Sequence, residues 1–206
     1  MEYLTLPNHY TQPVETPPVF FNEAYRANFY NCLKHLKDTP AVGMEIGVLH
    51  GAASCWLMEN ILNHADSKLY CMDMNEDDYW KKNIEPYKSK ISLVLGYSCD
   101  TIRKATHENK TKDFLDFVYV DGSHIAMDVM EDCVNSYYLL KDGGIMILDD
   151  YGWGDTPTNS DERLKTKNGI DGFLTGYQGN YDMLGIDGWQ IYIRKAKNSI
   201  VKEYQK

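Results

Sequence analysis

The sequence lacks a long apolar run, because no window approaches 18 consecutive apolar residues, and a membrane-spanning helix is therefore not expected. The first residues contain no basic region followed by an apolar stretch, so no signal peptide is readable. These absences predict a cytoplasmic protein without a membrane partner. With 206 residues, 43% of them hydrophobic and 25% charged, the chain can form the core of one domain without disulfides.

Paired cysteines and an excess of positive charge are also missing. The five cysteines form no Cys-x-x-Cys pair, which argues against a disulfide framework and against a zinc site: Cys32, Cys55, Cys71, Cys99 and Cys133. The 21 basic and 30 acidic side chains give a formal net charge of −9, the wrong sign for holding a phosphate backbone. Nucleic acid is therefore not an expected partner. The glycosylation sequon at residues 109–111 is interpreted as chance, since no secretory signal accompanies it.

Short apolar runs alternate with longer segments through the middle of the chain. The runs predict five strands, and the segments between them are long enough for crossover helices, which is typical of a parallel sheet covered on both faces. The clearest helix is expected at residues 126–140, with Gly143 and Gly144 just beyond its end. The predicted strands are residues 41–46, 68–72, 91–95, 117–120 and 144–148.

The two ends of the chain have different patterns. Pro13, Pro17 and Pro18 predict an extended arm over the first 20 residues, and a helix is expected at residues 23–37 with Asn22 as its cap. Residues 152–168 are polar and long for a plain connection, which indicates a functional loop. A short helix at residues 170–177 and two strands at 181–186 and 189–193, joined by an Asp187-Gly188 turn, complete the prediction.

The first strand ends in a glycine-containing turn that precedes a helix starting at residue 52. Its pattern is Glu45-x-Gly47-x-x-x-Gly51. Such glycines let backbone amides approach a nucleotide at a helix N-terminus, although a tight turn without a ligand would need them too. The spacing differs from the G-x-G-x-x-G dinucleotide fingerprint, which disfavours NAD.

The second and third strands end in polar residues at the same edge of the predicted sheet. Asp73 can accept hydrogen bonds from both ribose hydroxyls of a nucleoside, or it can be one exposed carboxylate beside Glu76. The third strand runs into Gly96-Tyr97-Ser98. Three strand ends are therefore expected at one crevice.

Three carboxylates follow the last two predicted parallel strands: Asp121, Asp149 and Asp150. Adjacent strands would bring them together, where they repel one another unless a cation is present, and oxygen ligands suit Mg²⁺ or Mn²⁺. Alternatively, Asp149 and Asp150 only cap the following turn. His124 is placed to act as a general base, or else to cap the next helix.

These motifs, over about residues 40–195, resemble the class I S-adenosylmethionine-dependent methyltransferases. Within that class they are similar to metal-dependent small-molecule O-methyltransferases related to catechol and antibiotic-sugar O-methyltransferases. The resemblance implies that Asp73 holds the cofactor ribose, that Ser98 lies beside the adenine, and that Asp121, Asp149 and Asp150 bind magnesium. It also implies an antiparallel hairpin after five parallel strands. The motifs, in chain order, are Glu45-x-Gly47-x-x-x-Gly51, Asp73, Gly96-x-Ser98, Val120-Asp121-x-x-His124, Leu140-Lys141-Asp142-Gly143-Gly144 and Asp149-Asp150.

Three positions depart from the catechol enzymes. His124 stands where those enzymes have a lysine base, and a histidine there resembles the sugar and natural-product branch. Ser123 replaces an aromatic residue that stacks on adenine, and Asp150 replaces an asparagine, which makes the metal site more anionic. The resemblance therefore does not imply a catechol substrate.

We accordingly predict a single-domain α/β protein with a Rossmann-like methyltransferase fold and a mostly parallel seven-stranded sheet. Its parts are an arm and helix (1–40), a cofactor-binding core (41–151), a loop over the site (152–169) and a helix with a hairpin (170–195). The predicted reaction is methyl transfer from S-adenosylmethionine to a hydroxyl of a small molecule, which a divalent ion orients and acidifies. The first expectation for this substrate is a saccharide or a glycosylated natural product. His124, beside Asp121, takes the proton. The predicted cofactor-binding residues are Glu45, Gly47, Gly51, Asp73 and Ser98.

Two alternatives stay open at this point: a non-catalytic binding protein on a methyltransferase scaffold, and a nicotinamide-dependent oxidoreductase or epimerase. Self-association into a homo-oligomer is compatible with either reading.

Overall fold

The structure is a computed structural model that describes residue 21 and residues 23–108, 112–187 and 189–197. The expected N-terminal arm, the Asn22 cap, the sequon and Gly188 of the expected turn lie outside the described residues.

Seven strands form one sheet in the order β3-β2-β1-β4-β5-β7-β6. The first five strands pair in parallel, whereas β7 is antiparallel to both β5 and β6. The predicted fold class, a mostly parallel sheet ending in an antiparallel hairpin, is confirmed. The strands are β1 (Val42–Ile46), β2 (Lys68–Asp73), β3 (Ile91–Leu95), β4 (Leu115–Val120), β5 (Leu140–Leu148), β6 (Tyr181–Asp187) and β7 (Gln190–Lys195).

Helices cover both faces of the sheet. Phe29 and Trp56 belong to the core on one face, and Val129 and Phe173 to the core on the other. Apolar side chains on both sides of each central strand explain why the strands read as continuous apolar runs. No helix among the described residues is long and apolar enough to cross a membrane. The helices are α1 (Glu23–Leu33), α2 (Ala52–Asn60), α3 (Asp78–Ile84), α4 (Ser98–Arg103), α5 (Ala126–Leu139) and α6 (Thr166–Gly176).

The glycine pair expected to follow α5 has a different place. β5 begins at Leu140, directly after the helix, and Gly143 and Gly144 lie inside its printed bounds. The pairing with β4 shifts register here, from Leu115 opposite Leu140 to Phe117 opposite Ile145. Gly143 has a φ of 83°, which L side chains rarely adopt, so the glycines serve an irregularity of the strand rather than the end of the helix.

The end of the predicted loop also differs. α6 starts at Thr166, earlier than the expected residue 170, and a short 3₁₀ turn occupies Glu162–Leu164. A Cβ on Gly169 would lie 2.2 Å from the carbonyl oxygen of Ala126, the first residue of α5. The two helices therefore approach closely at a glycine, and this tertiary contact is not visible in the local pattern.

Candidate active site

Two neighbouring cavities open at the carboxyl edge of the parallel strands. The first, which we name the Ser98 cavity, has a volume of about 430 Å³, and the second, the His124 cavity, about 480 Å³. Both are lined by Gly47, Asp73 and Gly122, so they adjoin at the ends of β1, β2 and β4. This edge is where open α/β sheets bind their ligands.

Gly47 brings the ends of β1 and β4 into close contact. It has a φ of 83°, and a Cβ at this position would lie 2.0 Å from the carbonyl oxygen of Asp121. Only glycine fits such an approach. Gly51, also predicted to bind cofactor, lies instead at the start of α2, where a Cβ would meet Trp80 at 3.0 Å. Gly51 lines neither cavity, and its contribution to binding stays a prediction.

Asp73 ties the end of β2 to the glycine turn. Its Oδ2 accepts a hydrogen bond from the Val48 amide at 3.0 Å, and its Oδ1 accepts one from the Asn75 amide at 3.1 Å. Each carboxylate oxygen can accept a further hydrogen bond. Asp73 therefore stands, partly exposed, where both cavities meet.

Glu45 lies below the glycine turn. Its Oε2 accepts a hydrogen bond of 2.6 Å from the Ser54 hydroxyl, and only 1% of the residue is exposed. Burial raises the pKa of this carboxyl to about 8, although the hydrogen bond from Ser54 acts in the opposite direction. Glu45 lines neither large cavity but a smaller one of about 50 Å³. Its predicted role in cofactor binding remains a prediction.

Ser98 lines the cavity named after it, and its hydroxyl donates a hydrogen bond of 2.6 Å to Oδ1 of Asp132. Sequence reasoning missed Asp132. This residue is 1% exposed on α5, and burial raises the pKa of its carboxyl to about 6. The helical spacing could have indicated that Asp132 is buried. It lies three residues after the buried Val129 and four before the buried Ser136, on the helix face that meets the core.

Asp121 and Asp149 line the His124 cavity and share a buried phenol. The hydroxyl of Tyr119 contacts Oδ2 of Asp121 at 2.8 Å and also hydrogen-bonds to Oδ2 of Asp149. Loss of hydration, and then the charges of Asp149 and Asp150, raise the pKa of Asp121 well above its ordinary value. Burial raises the pKa of Asp149 to about 6.

Two residues of the hairpin complete this hydrogen-bond network. The side-chain amide of Gln190 donates to Oδ2 of Asp149 at 2.6 Å, and the hydroxyl of Tyr192 donates to Oε1 of Gln190. Both residues are buried on β7. Sequence reasoning missed them too. A glutamine in an otherwise apolar strand, two residues before a tyrosine on the same face, could have indicated a buried hydrogen bond between the two side chains.

His124 faces Asp150 rather than the following helix. Its Nε2 lies 2.8 Å from Oδ2 of Asp150, and its ring stacks against that of Trp153 with centroids 4.3 Å apart. The hydroxyl of Ser123 accepts a hydrogen bond from the Ile125 amide at 3.1 Å. The local contact at the start of α5 is therefore made by Ser123, which leaves His124 directed toward the carboxylates.

A divalent cation fits this group in charge and donor chemistry, because Asp121, Asp149 and Asp150 line one cavity and the latter two raise the pKa of Asp121, a repulsion that a cation would relieve. Within the described part of the chain, no group of three or more His, Cys, Asp or Glu side chains is already arranged to hold a metal ion. Tyr119, Gln190 and His124 occupy carboxylate oxygens instead. Metal binding here stays a prediction.

Comparison with known proteins identifies the family. A family model described as "Methyltransferase domain" matches residues 44–151, just over half of the chain. No sequence among curated proteins matches. The chain belongs to this methyltransferase domain family, as the motifs predicted.

Solved structures with the same fold include three of low sequence identity. MycE methyltransferase from the mycinamycin biosynthetic pathway, in complex with Mg, SAH and mycinamycin VI, superposes with a TM-score of 0.67 and 14% identity. The match covers 91% of this chain and 52% of that one, so the present chain spans about half the length of MycE. A Corynebacterium glutamicum protein has a TM-score of 0.64 at 15% identity (86% and 82% covered). A Klebsiella pneumoniae protein, described only as a candidate O-methyltransferase, has 0.61 at 16% (93% and 84% covered).

Proposed function

We propose that this protein transfers the sulfonium methyl group of S-adenosylmethionine to a hydroxyl group of a small molecule, with a divalent cation at Asp121, Asp149 and Asp150. The observation that carries the proposal is the adjacency of the two cavities. Asp73, at the position expected for ribose binding, lines both cavities, and the His124 cavity adds Asp121, Asp149, Asp150 and His124. The complex of MycE with Mg and SAH supports the same pair of ligands.

In this proposal the cofactor lies across the shared wall of the cavities. Asp73 would accept hydrogen bonds from the ribose hydroxyls of a nucleoside bound in the Ser98 cavity, and the His124 cavity would hold the acceptor. Gly47 permits the close approach of the backbone at the point between them. Binding in adjoining cavities would bring the acceptor hydroxyl close to the methyl donor.

His124 is the proposed general base. A neutral imidazole that donates from Nε2 to Asp150 keeps an unprotonated Nδ1, which can take the proton of the acceptor hydroxyl. Asp150 then stabilises the imidazolium ion that forms. A divalent ion, when bound, would lower the pKa of the acceptor hydroxyl.

A saccharide or a glycosylated natural product is the proposed acceptor. Trp153 and Trp189 line the His124 cavity together with the carboxylates and are 47% and 46% exposed, so their rings offer flat apolar surfaces to a ligand. Such a combination suits a molecule with several hydroxyl groups and an apolar face. We also propose a cytoplasmic location. Neither nucleic acid nor a membrane is a partner in this proposal, and the oligomeric state is left to measurement.

The test combines metal binding with turnover. Purified protein is treated with EDTA, and calorimetry then measures Mg²⁺ and SAH binding to the wild type and to Asp149→Asn. We expect Mg²⁺ to bind the wild type and to bind the variant more weakly, with SAH affinity kept in both. Turnover is measured as the formation of S-adenosylhomocysteine (SAH) from S-adenosylmethionine, with a panel of methyl glycosides and glycosylated natural products as acceptors. Turnover that persists in EDTA would contradict the metal role, and SAH binding without turnover of any acceptor would favour a non-catalytic protein.

A further inference from the structure

Asp132 is a buried carboxylate that neither the motifs nor the proposed mechanism uses. It lies on α5 beneath the Ser98 cavity and is 1% exposed. The charged groups that raise the pKa of its carboxyl are Asp128 and Glu131, both acidic. Asp132 forms no ion pair with a cationic side chain among the described residues, and burying a carboxylate without such a partner is unfavourable. An apolar residue would therefore suit this helix face better unless the carboxylate serves the site above it.

The contact between Asp132 and Ser98 has a fixed direction. An ionised carboxylate only accepts hydrogen bonds, so the Ser98 hydroxyl must use its single hydrogen in the 2.6 Å bond to Oδ1 of Asp132. Lone pairs are then all that the Ser98 oxygen can offer to a molecule in the cavity. Asp132 thereby makes Ser98 an acceptor.

Two further side chains of this wall, Ser123 and Asp128, also present hydrogen-bond acceptors to the cavity. The hydroxyl of Ser123 donates to Oδ2 of Asp128 at 2.8 Å and accepts from the Ile125 amide, so its hydrogen is also committed. Asp128 is a carboxylate that lines the cavity as well. These side chains therefore present hydrogen-bond acceptors to a ligand and require a donor from it.

We propose that Asp132 is a positioning residue that orients the Ser98 hydroxyl so that the Ser98 cavity accepts a hydrogen bond from the exocyclic amino group of the cofactor's adenine. Adenine carries this donor at position 6, whereas a hypoxanthine base carries a carbonyl acceptor there. The cavity consequently selects adenosine-type over inosine-type cofactors. This inference rests on the proposed placement of S-adenosylmethionine.

The preference for adenine over hypoxanthine depends on the carbonyl oxygen of hypoxanthine, which would find no hydrogen-bond donor at Ser98. A carbonyl oxygen opposite the Ser98 lone pairs would lose its hydrogen bonds to water without gaining one from the protein, and sites built to bind a donor reject analogues that lack it. Replacing Asp132 by asparagine reverses the direction of the bond. The new amide can donate to Ser98, whose hydrogen then turns toward the cavity and can meet a carbonyl.

The experiment measures dissociation constants by calorimetry for S-adenosylhomocysteine and for its deaminated analogue S-inosylhomocysteine. The proteins are the wild type, Asp132→Asn, and Asp116→Asn as the matched control. Asp116 is a carboxylate outside both cavities, bonded to Lys141 and to the Val42 amide. We expect the wild type and Asp116→Asn to bind the adenine ligand at least about tenfold more tightly, and Asp132→Asn to lose or reverse that ratio.

Ser98→Ala gives a second route if Asp132→Asn does not fold. It removes the acceptor, so its affinity for S-adenosylhomocysteine should fall while that for S-inosylhomocysteine should not, which again brings the ratio toward one. Equal binding of both ligands by the wild type would overturn the inference, as would an unchanged ratio in the variant that folds, because a purely structural role weakens both ligands alike. If the wild type bound neither ligand, the proposed cofactor itself would be wrong.

Discussion

The two cavities differ in where their walls come from along the chain. The Ser98 cavity is lined by residues between Ile46 and Asp128, which all lie within the segment matched by the methyltransferase family. The His124 cavity adds Tyr25 from α1, Trp153 from the loop after β5 and Trp189 from the hairpin, all outside that segment. In the proposed function, consecutive strand ends thus form the cofactor half (the Ser98 cavity), while segments distant in the chain contribute to the acceptor half (the His124 cavity).

The charges of the two cavities differ as well. The His124 cavity has four aspartates and one histidine in its wall, with no lysine or arginine among the described residues that line it. Asp73 and Asp128 are the charged residues in the described wall of the Ser98 cavity. A wall this acidic favours cations and neutral acceptors over phosphorylated ones. Changes in the acceptor half should therefore alter catalysis and metal affinity, and changes in the cofactor half should alter cofactor affinity.

The largest effect is expected in the acceptor half, from His124→Ala. Loss of the general base should lower kcat by roughly 10²- to 10⁴-fold, while the affinity for S-adenosylhomocysteine stays near the wild-type value. Single-turnover rates and calorimetry check the two parts. His64→Ala is the matched control, since His64 also lies beside an aspartate, Asp66 at 3.8 Å, but lines neither cavity. Wild-type turnover in His124→Ala would remove the base from this position.

Asp73→Ala tests the wall that the two cavities share. The loss of charge-assisted hydrogen bonds to the ribose, at about 1.5–3 kcal/mol, corresponds to roughly 10- to 150-fold weaker binding of S-adenosylhomocysteine. Thermal shift and calorimetry measure this change. Glu76→Ala is the control, because Glu76 is an acidic neighbour that pairs with Lys81 outside both cavities. Equal affinities of the two variants would mean that Asp73 supports only the glycine turn.

Gln190→Leu asks whether the hairpin supports the acceptor half. The leucine cannot donate to Asp149, so the carboxylate loses one of the bonds that orient it. Removing such a supporting partner lowers metal affinity by about 10- to 100-fold, and the low end is expected here because Tyr119 still contacts the same oxygen. Tyr192→Phe should have a smaller effect of the same sign. Unchanged Mg²⁺ affinity with a reduced melting temperature would assign both residues to packing alone.

The strand ends around the Ser98 cavity could be placed from the sequence because each strand end is a local pattern. Gly47, Asp73 and Ser98 all line the Ser98 cavity, and the bounds of β3 agree with the prediction. Strand bounds follow from apolar runs that are buried on both faces, and the edge follows from the parallel arrangement. Gly51 is different, since it lines neither cavity; its φ is 82°, and a Cβ at this position would lie 3.0 Å from Trp80.

The acceptor half was predicted less completely because its contacts join residues far apart in the chain. The bond between Gln190 and Asp149 spans 41 residues; the bond between Ser98 and Asp132, which was missed in the cofactor half, spans 34. No periodicity encodes such partners, which depend on how β7 and α5 pack against the parallel strands. The Gly143-Gly144 pair shows the converse, since a helix-end pattern was overridden by the register shift in β5.

The smallest effect concerns Glu45, which lies beneath the glycine turn beside both halves. Its pKa is raised from the ordinary 4.5 to about 8, so the folded protein holds this proton more tightly than the unfolded chain does. Between those pH values the unfolded state binds fewer protons, and the free energy of unfolding must fall as pH rises, by at most about 1.4 kcal/mol per pH unit from this group. Glu45→Gln removes the titration while keeping the shape of the side chain.

We therefore expect the melting temperature of the metal-free wild type to fall more steeply between pH 6 and 8 than that of Glu45→Gln, measured in EDTA. The difference between the two proteins isolates Glu45, because the titration of Asp132 and Asp149 is common to both. For a protein of this size, a loss of 1 kcal/mol in the free energy of unfolding lowers the melting temperature by about 2–4 °C. The slopes of melting temperature against pH should therefore differ by a few degrees per pH unit at most. Parallel slopes would mean that Glu45 is ionised in the folded protein, as a group that water reaches through the small cavity would be.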